Sequence, residues 1–351
     1  MGIFSKKCLG IDIGASSIKM VEISGFGKRK KLENYIKFTI RPGEPSLKIF
    51  QGESLTLLSD RASGILQAIL EQAKIKEKKA TFSLPDFSTF FTSFSLPPMS
   101  KGEVPQAVEF EARHHIPIPL SEVTFDWQII EKKEIFPGVK LKILLVAVPN
   151  KVLANYQRTA NLTQVELKGM EAEVFALMRS SVPRDLIEKP VCLVDIGWYS
   201  TTISIVEKEM LRVSYSFDIS SDNLTKSLRD KLKVDLEEAE KLKTKYGLDP
   251  KRKEIVEALL PEIDSLAFEI EKICRSFYQT EDKEVKDVII AGGTATLFGL
   301  RDYLESRIKK QVKLADPFSN TSFPSLLSQR LKELGPSFAV AVGTALMGLE
   351  T

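Results

Sequence analysis

The 351-residue chain is 43% hydrophobic and 28% charged and carries a net charge of +3. That balance belongs to a globular protein with room for two or three domains; it excludes wholesale disorder and gives no dense basic face for nucleic acid. Cys8, Cys192 and Cys274 are too far apart for a disulfide framework or a CxxC metal site, and the longest apolar runs, Leu141–Pro149 and Phe338–Leu349, fall short of the ~18 residues a membrane-crossing helix needs. A reduced, soluble, intracellular protein is expected.

The basic lead Met1–Lys7 carries no myristoylation signal, because Lys6 stands where a hydroxyl is required, and no signal peptide, because Asp12 and Lys19 interrupt any apolar core. The run Leu9-Gly10-Ile11-Asp12-Ile13-Gly14-Ala15-Ser16-Ser17-Ile18-Lys19 follows. It returns half a chain later as Leu193-Val194-Asp195-Ile196-Gly197-Trp198-Tyr199-Ser200-Thr201-Thr202-Ile203. Each copy is an apolar run, an Asp-Ile-Gly, a hydroxyl-rich turn and a second alternating run. Period-two alternation on both sides of a glycine turn predicts a β-hairpin, and two of them predict two related lobes. In each turn the glycine is expected at positive φ, with backbone amides facing phosphate oxygens. Ser16, Ser17, Ser200, Thr201 and Thr202 add hydroxyls, Asp12 and Asp195 sit where carboxylates hold a hydrated Mg²⁺, and Lys19 either assists the phosphates or covers surface.

Between the copies, the pattern after the strand Thr81–Leu84 predicts strand Phe90–Leu96, helix Gly102–Arg113, strands Val123–Glu131 and Val139–Val148, and helix Lys151–Ala160. His114 and His115, at a helix end before two prolines, are too few for a metal site and are expected to be structural. Further on, Leu228, Leu232, Leu236, Ala239 and Leu242 mark one helical face ended by Gly247 and Pro250. Glu240 and Lys243 share a face there, suited either to a ribose or adenine edge or to a solvated charge run. Val288–Ala291 predicts a buried strand. Gly292-Gly293-Thr294 then forms a strand-to-helix junction whose helix, marked by Leu297, Leu300, Leu304 and Ile308, favours negative charge at its N-terminus.

Two Asp-Ile-Gly hairpins, the Gly-Gly-Thr turn and the glycine-containing segment Ala339–Gly348 resemble the superfamily of actin, heat-shock chaperones and sugar kinases. Within it the chain is similar to the PilM family of type IV pilus assembly, related to FtsA. The matching residues include Phe4-Ser5-Lys6-Lys7, Glu111–Leu120, Phe125-Asp126-Trp127 and Leu144–Pro149. The resemblance implies an α/β, actin-like (ribonuclease H-like) two-lobed fold with an inserted small α/β subdomain. The first lobe core would comprise 1–85 with 165–190 and 336–351, the insertion 86–164, the second lobe core 191–218 with 281–335, and its helical subdomain 219–280.

The resemblance also implies ATP with Mg²⁺ between the lobes. Asp12, Gly14, Ser16, Ser17, Lys19, Gly197, Ser200, Thr201, Thr202, Glu240, Lys243, Gly292, Gly293 and Thr294 would bind the cofactor, and Asp12 and Asp195 the metal through water. Asp195 and Glu173 are the candidate catalytic pair, Glu173 as the residue that orients water, with Glu171 the alternative. The second hairpin motif, Val194–Thr202, lacks the second glycine of stronger ATPases, so firm ATP binding with at most weak hydrolysis is expected. The implied partner is the N-terminal cytoplasmic tail of the membrane protein PilN, with contacts to the pilus motor ATPases and platform protein, self-association and a cytoplasmic place beside the inner membrane. An FtsA-like division polymer, which calls for a membrane helix after the last segment, and a small-molecule kinase are the alternative readings.

Overall fold

The computed structural model describes residues 6–27, 29–41, 44–51, 54–131 and 140–350; Phe4, Ser5, Val139 and Thr351 lie outside the described residues. In chain order the first part contains β1 (Lys6–Ile13), β2 (Ser17–Phe26), β3 (Arg29–Thr39), β4 (Lys48–Gln51), β5 (Ser54–Leu57), α1 (Ser59–Gln72) and β6 (Lys79–Leu84). The insertion follows as β7 (Phe90–Leu96), α2 (Val104–His115), β8 (Val123–Glu131), β9 (Leu141–Pro149) and α3 (Asn150–Leu162), and β10 (Glu166–Ala172) and α4 (Glu173–Ser181) lead out of it. The second half holds β11 (Val191–Ile196), β12 (Thr201–Glu207), β13 (Met210–Phe217), α5 (Ser221–Leu232), α6 (Leu236–Tyr246) and α7 (Lys253–Glu281). It ends with β14 (Asp287–Ala291), α8 (Leu300–Ile308), β15 (Gln311–Leu314) and α9 (Ser328–Glu350).

The internal repeat is a repeat of topology. One five-stranded sheet runs β10-β6-β1-β2-β3 and the other β15-β14-β11-β12-β13. In each, the first three strands in sequence are antiparallel neighbours and the next two join parallel on the far side. The central strands β1 and β11 are buried on both faces, as a parallel-bonded centre requires, which is why they read as apolar runs rather than as alternations. The two hairpin registers match: Asp12 stands opposite Lys19, and Asp195 opposite Thr202.

Helices α4 and α9 lie between the sheets. Ala176 and Leu177 of α4 and Ala339 and Val340 of α9 pack with Leu193 and Ile289 of the second sheet. On the helix's other side, Ala341, Val342 and Ala345 pack with Cys8 and Val21 of the first. The contact requires Gly343, where an added Cβ would stand 1.9 Å from the carbonyl oxygen of Ala176.

The insertion forms a three-stranded sheet, β7-β9-β8, with Val108 and Ala112 of α2 packed on Phe94 and Leu145. Helix α2 starts and stops two residues later than the pattern suggested. Pro105 occupies its first turn, and Pro117 bars Ile116 from the helical region. His115 stacks on Phe94 with centroids 4.8 Å apart, and His114 meets the edge of Phe110. Helix α3 packs away from this sheet: Val152, Tyr156 and Ala160 join Leu66 and Phe82 in the first lobe's core.

A partly buried ion network ties the insertion to the second lobe. Arg212 of β13 donates to Glu281 at 2.9 Å and to the carbonyl of Ile130, Lys142 of β9 also pairs with Glu281, and Lys283 holds Glu207 at 2.8 Å.

Two helix expectations are corrected. The face running from Leu228 to Leu242 is broken, because Lys233 takes the left-handed conformation and Asp235 caps a new helix by accepting the Glu238 amide at 2.8 Å. The helix after Gly292-Gly293-Thr294 begins only at Leu300, after a chain of turns, so no helix N-terminus abuts that motif.

Candidate functional site

A cleft of about 350 Å³ opens between the lobes, within the range of small-molecule sites. Both hairpin turns line it. Each is closed by its glycine: the Gly14 N–H donates to the Ser17 carbonyl at 2.8 Å and the Gly197 N–H to the Ser200 carbonyl at 3.0 Å. Neither glycine has positive φ, contrary to expectation. Glycine is needed instead because a side chain would crowd the turn carbonyl, at 3.2 Å in the first turn and 2.7 Å in the second. The left-handed residue is Gly292, at φ 89°, where a Cβ would strike the Ile196 carbonyl oxygen at 2.4 Å and the Asp195 carboxylate at 2.6 Å. Beside it, Gly293 faces open space.

The cleft gathers Asp12, Gly14, Ser16, Ser17, Lys19, Glu173, Asp195, Gly197, Ser200, Thr202, Glu240, Gly292, Gly293 and Thr294. Thr201 and Lys243 do not line it. Alternation turns Thr201 inward, where its hydroxyl donates to the Ile219 carbonyl at 2.6 Å. Lys243 is buried between α5 and α6, donating to the Ser221 carbonyl and hydroxyl, to Thr225 and to Glu240 at 2.7–2.9 Å. It thereby positions Glu240 and sits 5.4 Å above the ring of Trp198. Glu171 points away from the cleft and pairs with Arg179 at 2.7 Å.

The charges are arranged in opposition. Asp12, 4% exposed, accepts from Lys19 at 2.8 Å and from the Ser83 hydroxyl at 3.2 Å. Burial alone would push the Lys19 ammonium down, but Asp12 against it, with Asp195 and Glu173 nearby, holds it above its ordinary range. Burial pushes the Asp195 carboxyl up to about 6, with Lys19 opposing and Asp12 adding. Glu173 is pushed up to about 7, first by burial, with Lys48 opposing and Asp12 and Asp195 adding. Glu173 and Asp86 lock the start of α4: the Asp86 N–H donates to Glu173 at 3.3 Å, and the Val174 N–H donates to Asp86 at 3.1 Å. Burial, and then Glu173, raises the Asp86 carboxyl well above its usual range.

Sequence reasoning missed Lys37, Lys48, Pro85, Ser221 and Thr244, which also line the cleft. Lys37 is the cross-strand neighbour of Lys19, a relation visible only once β3 is in register. The donor set fits a metal–nucleotide. Turn amides, hydroxyls and lysines suit phosphate oxygens, and Asp12 and Asp195 suit a hydrated divalent cation. Among the described residues the Asp195 carboxylate accepts no hydrogen bond.

The profile of the family described as Type IV pilus assembly protein PilM matches residues 10–349. The chain belongs to the PilM family. Its backbone is similar to that of a solved PilM–PilN type IV pilus biogenesis complex, with a TM-score of 0.84 at 23% identity over 98% of this chain and 99% of that one. It is also similar to Spiroplasma citri MreB 5 bound to AMPPNP, with a TM-score of 0.54 at 11% identity, over 97% and 96%. These likenesses establish the actin-like ATPase fold of this PilM-family chain. Among sequence relatives, the cell division protein FtsA of Pseudomonas aeruginosa is 23% identical over 239 residues, 61% of this chain and 55% of FtsA. FtsA of Bacillus subtilis is 27% identical over 112 residues, 31% and 26%. The chain spans about half the length of the first of these relatives and less of the second.

Proposed function

We propose that this PilM-family chain is a nucleotide-loaded adaptor of the type IV pilus machinery. It binds ATP with Mg²⁺ between its lobes, captures the N-terminal cytoplasmic tail of PilN, and links the inner-membrane platform to the motor ATPases from the cytoplasmic side. The observation that carries the reading is the convergence of both Asp-Ile-Gly turns and the Gly292–Thr294 turn on one cleft with Asp12, Lys19 and Asp195. The turn amides and Lys19 would hold the phosphates, Asp12 and Asp195 the hydrated metal, and Glu240 and Gly293 the nucleoside. Bound Mg²⁺ would supply neutralisation of phosphate charge.

Hydrolysis is expected to be slow. Glu173, the candidate for orienting water, is engaged by the Asp86 amide and by Lys48 and titrates near neutrality, so it is a poorly positioned and partly protonated base.

For the partner, a second groove of about 640 Å³ lies where the insertion meets β10 and α4, lined by Leu144, Val146, Met170 and Phe175 beside Thr124 and Gln128 of β8. Strand β8 is at the edge of its sheet, so an extended tail can add to it as a further strand while its apolar side chains enter the groove.

The nucleotide reading is tested by thermal unfolding with and without Mg-ATP. At about 100 Kd the ligand should add roughly 2.7 kcal/mol of stability. Asp12→Ala and Asp195→Ala should each lose that increment while keeping the unliganded fold. Unchanged stabilisation in both variants contradicts the site.

A further inference from the structure

The β4–β5 ribbon belongs to neither five-stranded sheet, yet it is fastened to the first hairpin turn. The Leu47 N–H donates to the Ala15 carbonyl at 2.9 Å, the Ser46 hydroxyl donates to the same carbonyl at 2.7 Å, and the Leu58 N–H closes on the Leu47 carbonyl at 2.7 Å. Lys48 follows directly, so its backbone is set one residue from the anchor. Its side chain reaches the cleft wall and is only 3% exposed.

An ammonium carries three N–H donors and, once buried, requires acceptors for them. The partner of Lys48 is Glu173, at 3.8 Å, beyond hydrogen-bonding distance; among the described residues its ammonium donates no hydrogen bond. The other buried lysines of the region differ. Lys19 is bonded to Asp12, and Lys243 donates to four acceptors. Lys48 also faces the acidic end of the cleft, where Glu173 and Asp195 would repel an anion unless a cation met it. The ammonium of this buried side chain, opening on the cleft at that end and donating to no oxygen there, supplies this cation and can take the oxygen acceptors that a phosphate brings.

We propose that Lys48 is the terminal-phosphate ligand of the cleft, the residue by which this protein distinguishes a nucleoside triphosphate from a diphosphate. The inference rests on the nucleotide reading of the cleft. In it Lys48 exchanges a long carboxylate contact for phosphate oxygens. Because Leu47 anchors the ribbon to the Ala15 carbonyl, recognition of the terminal phosphate and the shape of the first phosphate turn are set by the same short segment. Glu173 gives up part of its counter-charge in the exchange, so the occupant's phosphate count reaches the N-terminus of α4.

Calorimetric titration of the full chain with Mg-ATP and with Mg-ADP tests this. In Lys48→Met the affinity for Mg-ATP should fall by about tenfold or more, the scale of one lost charge-assisted hydrogen bond, while that for Mg-ADP stays near its starting value. Lys48→Met leaves Glu173 without its cation. If that variant does not fold, the comparison of Glu173→Gln with the double variant K48M/E173Q reads the same difference with no lone buried charge. Equal losses for the two nucleotides, or no loss for either, overturn the role of Lys48 while leaving the cleft a nucleotide site. Failure of the unaltered protein to bind either nucleotide overturns the nucleotide reading and the inference together.

Discussion

At the residue scale, the cleft combines carboxylates raised by burial with lysines that oppose them, so the nucleotide reading predicts binding that depends on pH. Asp195 titrates near 6, under burial first and then the opposed pulls of Lys19 and Asp12; Glu173, which faces Lys48, Asp12 and Asp195, titrates near 7. A hydrated cation favours ionised Asp195, so binding expels the proton that the carboxyl carries below its own pKa. Affinity for Mg-ATP should therefore weaken as pH falls through about 6, and heats measured at pH 6 in two buffers of different ionisation enthalpy should differ by the released proton. Asp195→Asn should abolish its share of that difference; buffer-independent heats in the unaltered protein would contradict the assignment. The convergence of Asp12, Asp195, Gly292 and Thr294 on one cleft was legible because each sits in a short local motif. Lys37 and Lys48 were not legible. Lys37 reaches the cleft through the register of β2 on β3, and Lys48 through the docking of the ribbon by Leu47 on Ala15.

At the element scale, the architecture depends on how closely α9 approaches α4. A Cβ at Gly343 would overlap the Ala176 carbonyl, and backbone cannot step aside as the end of a side chain can. Gly343→Val should cost about 3 kcal/mol or more by overpacking, read as a lower denaturant midpoint or failure to fold. Gly64→Ala, in the exposed middle of α1 where an added Cβ meets nothing within 4 Å, should instead gain up to about 1 kcal/mol from helix propensity. Similar costs at both positions would refute the close-approach account. Hairpins and buried strands were readable here because alternation and turn residues are local signals. The break at Lys233 was hidden because the apolar period runs on through it, although Asp235 and Glu238 carried a capping signal. The long turn before α8 was hidden for a related reason: Leu297 lies three residues before Leu300 in phase with the helix, but packs half-buried on the core from a turn.

At the scale of the whole molecule, the cleft and the groove are joined through shared elements. Pro85 lines the cleft, and Asp86 beside it holds the start of α4 before the chain enters the insertion. Phe175 of α4 lines the groove under β8, while Arg212, Glu281 and Lys142 fasten the insertion to the second lobe. A change in lobe closure therefore has a mechanical path to the groove, and the nucleotide affects the partner to the extent that it favours one groove geometry over another. The two-lobed plan was legible from the repeated Asp-Ile-Gly hairpins alone. The links between cleft and groove were not, since Asp86–Glu173 and Lys142–Glu281 join residues far apart in the chain. The most direct measurement is a titration of a fluorescent peptide of PilN's cytoplasmic N-terminus into the folded protein, with and without Mg-ATP. Saturable binding, with an affinity that shifts when nucleotide is present, is the predicted result. No binding in either state, with the protein folded and nucleotide bound, would contradict the adaptor account.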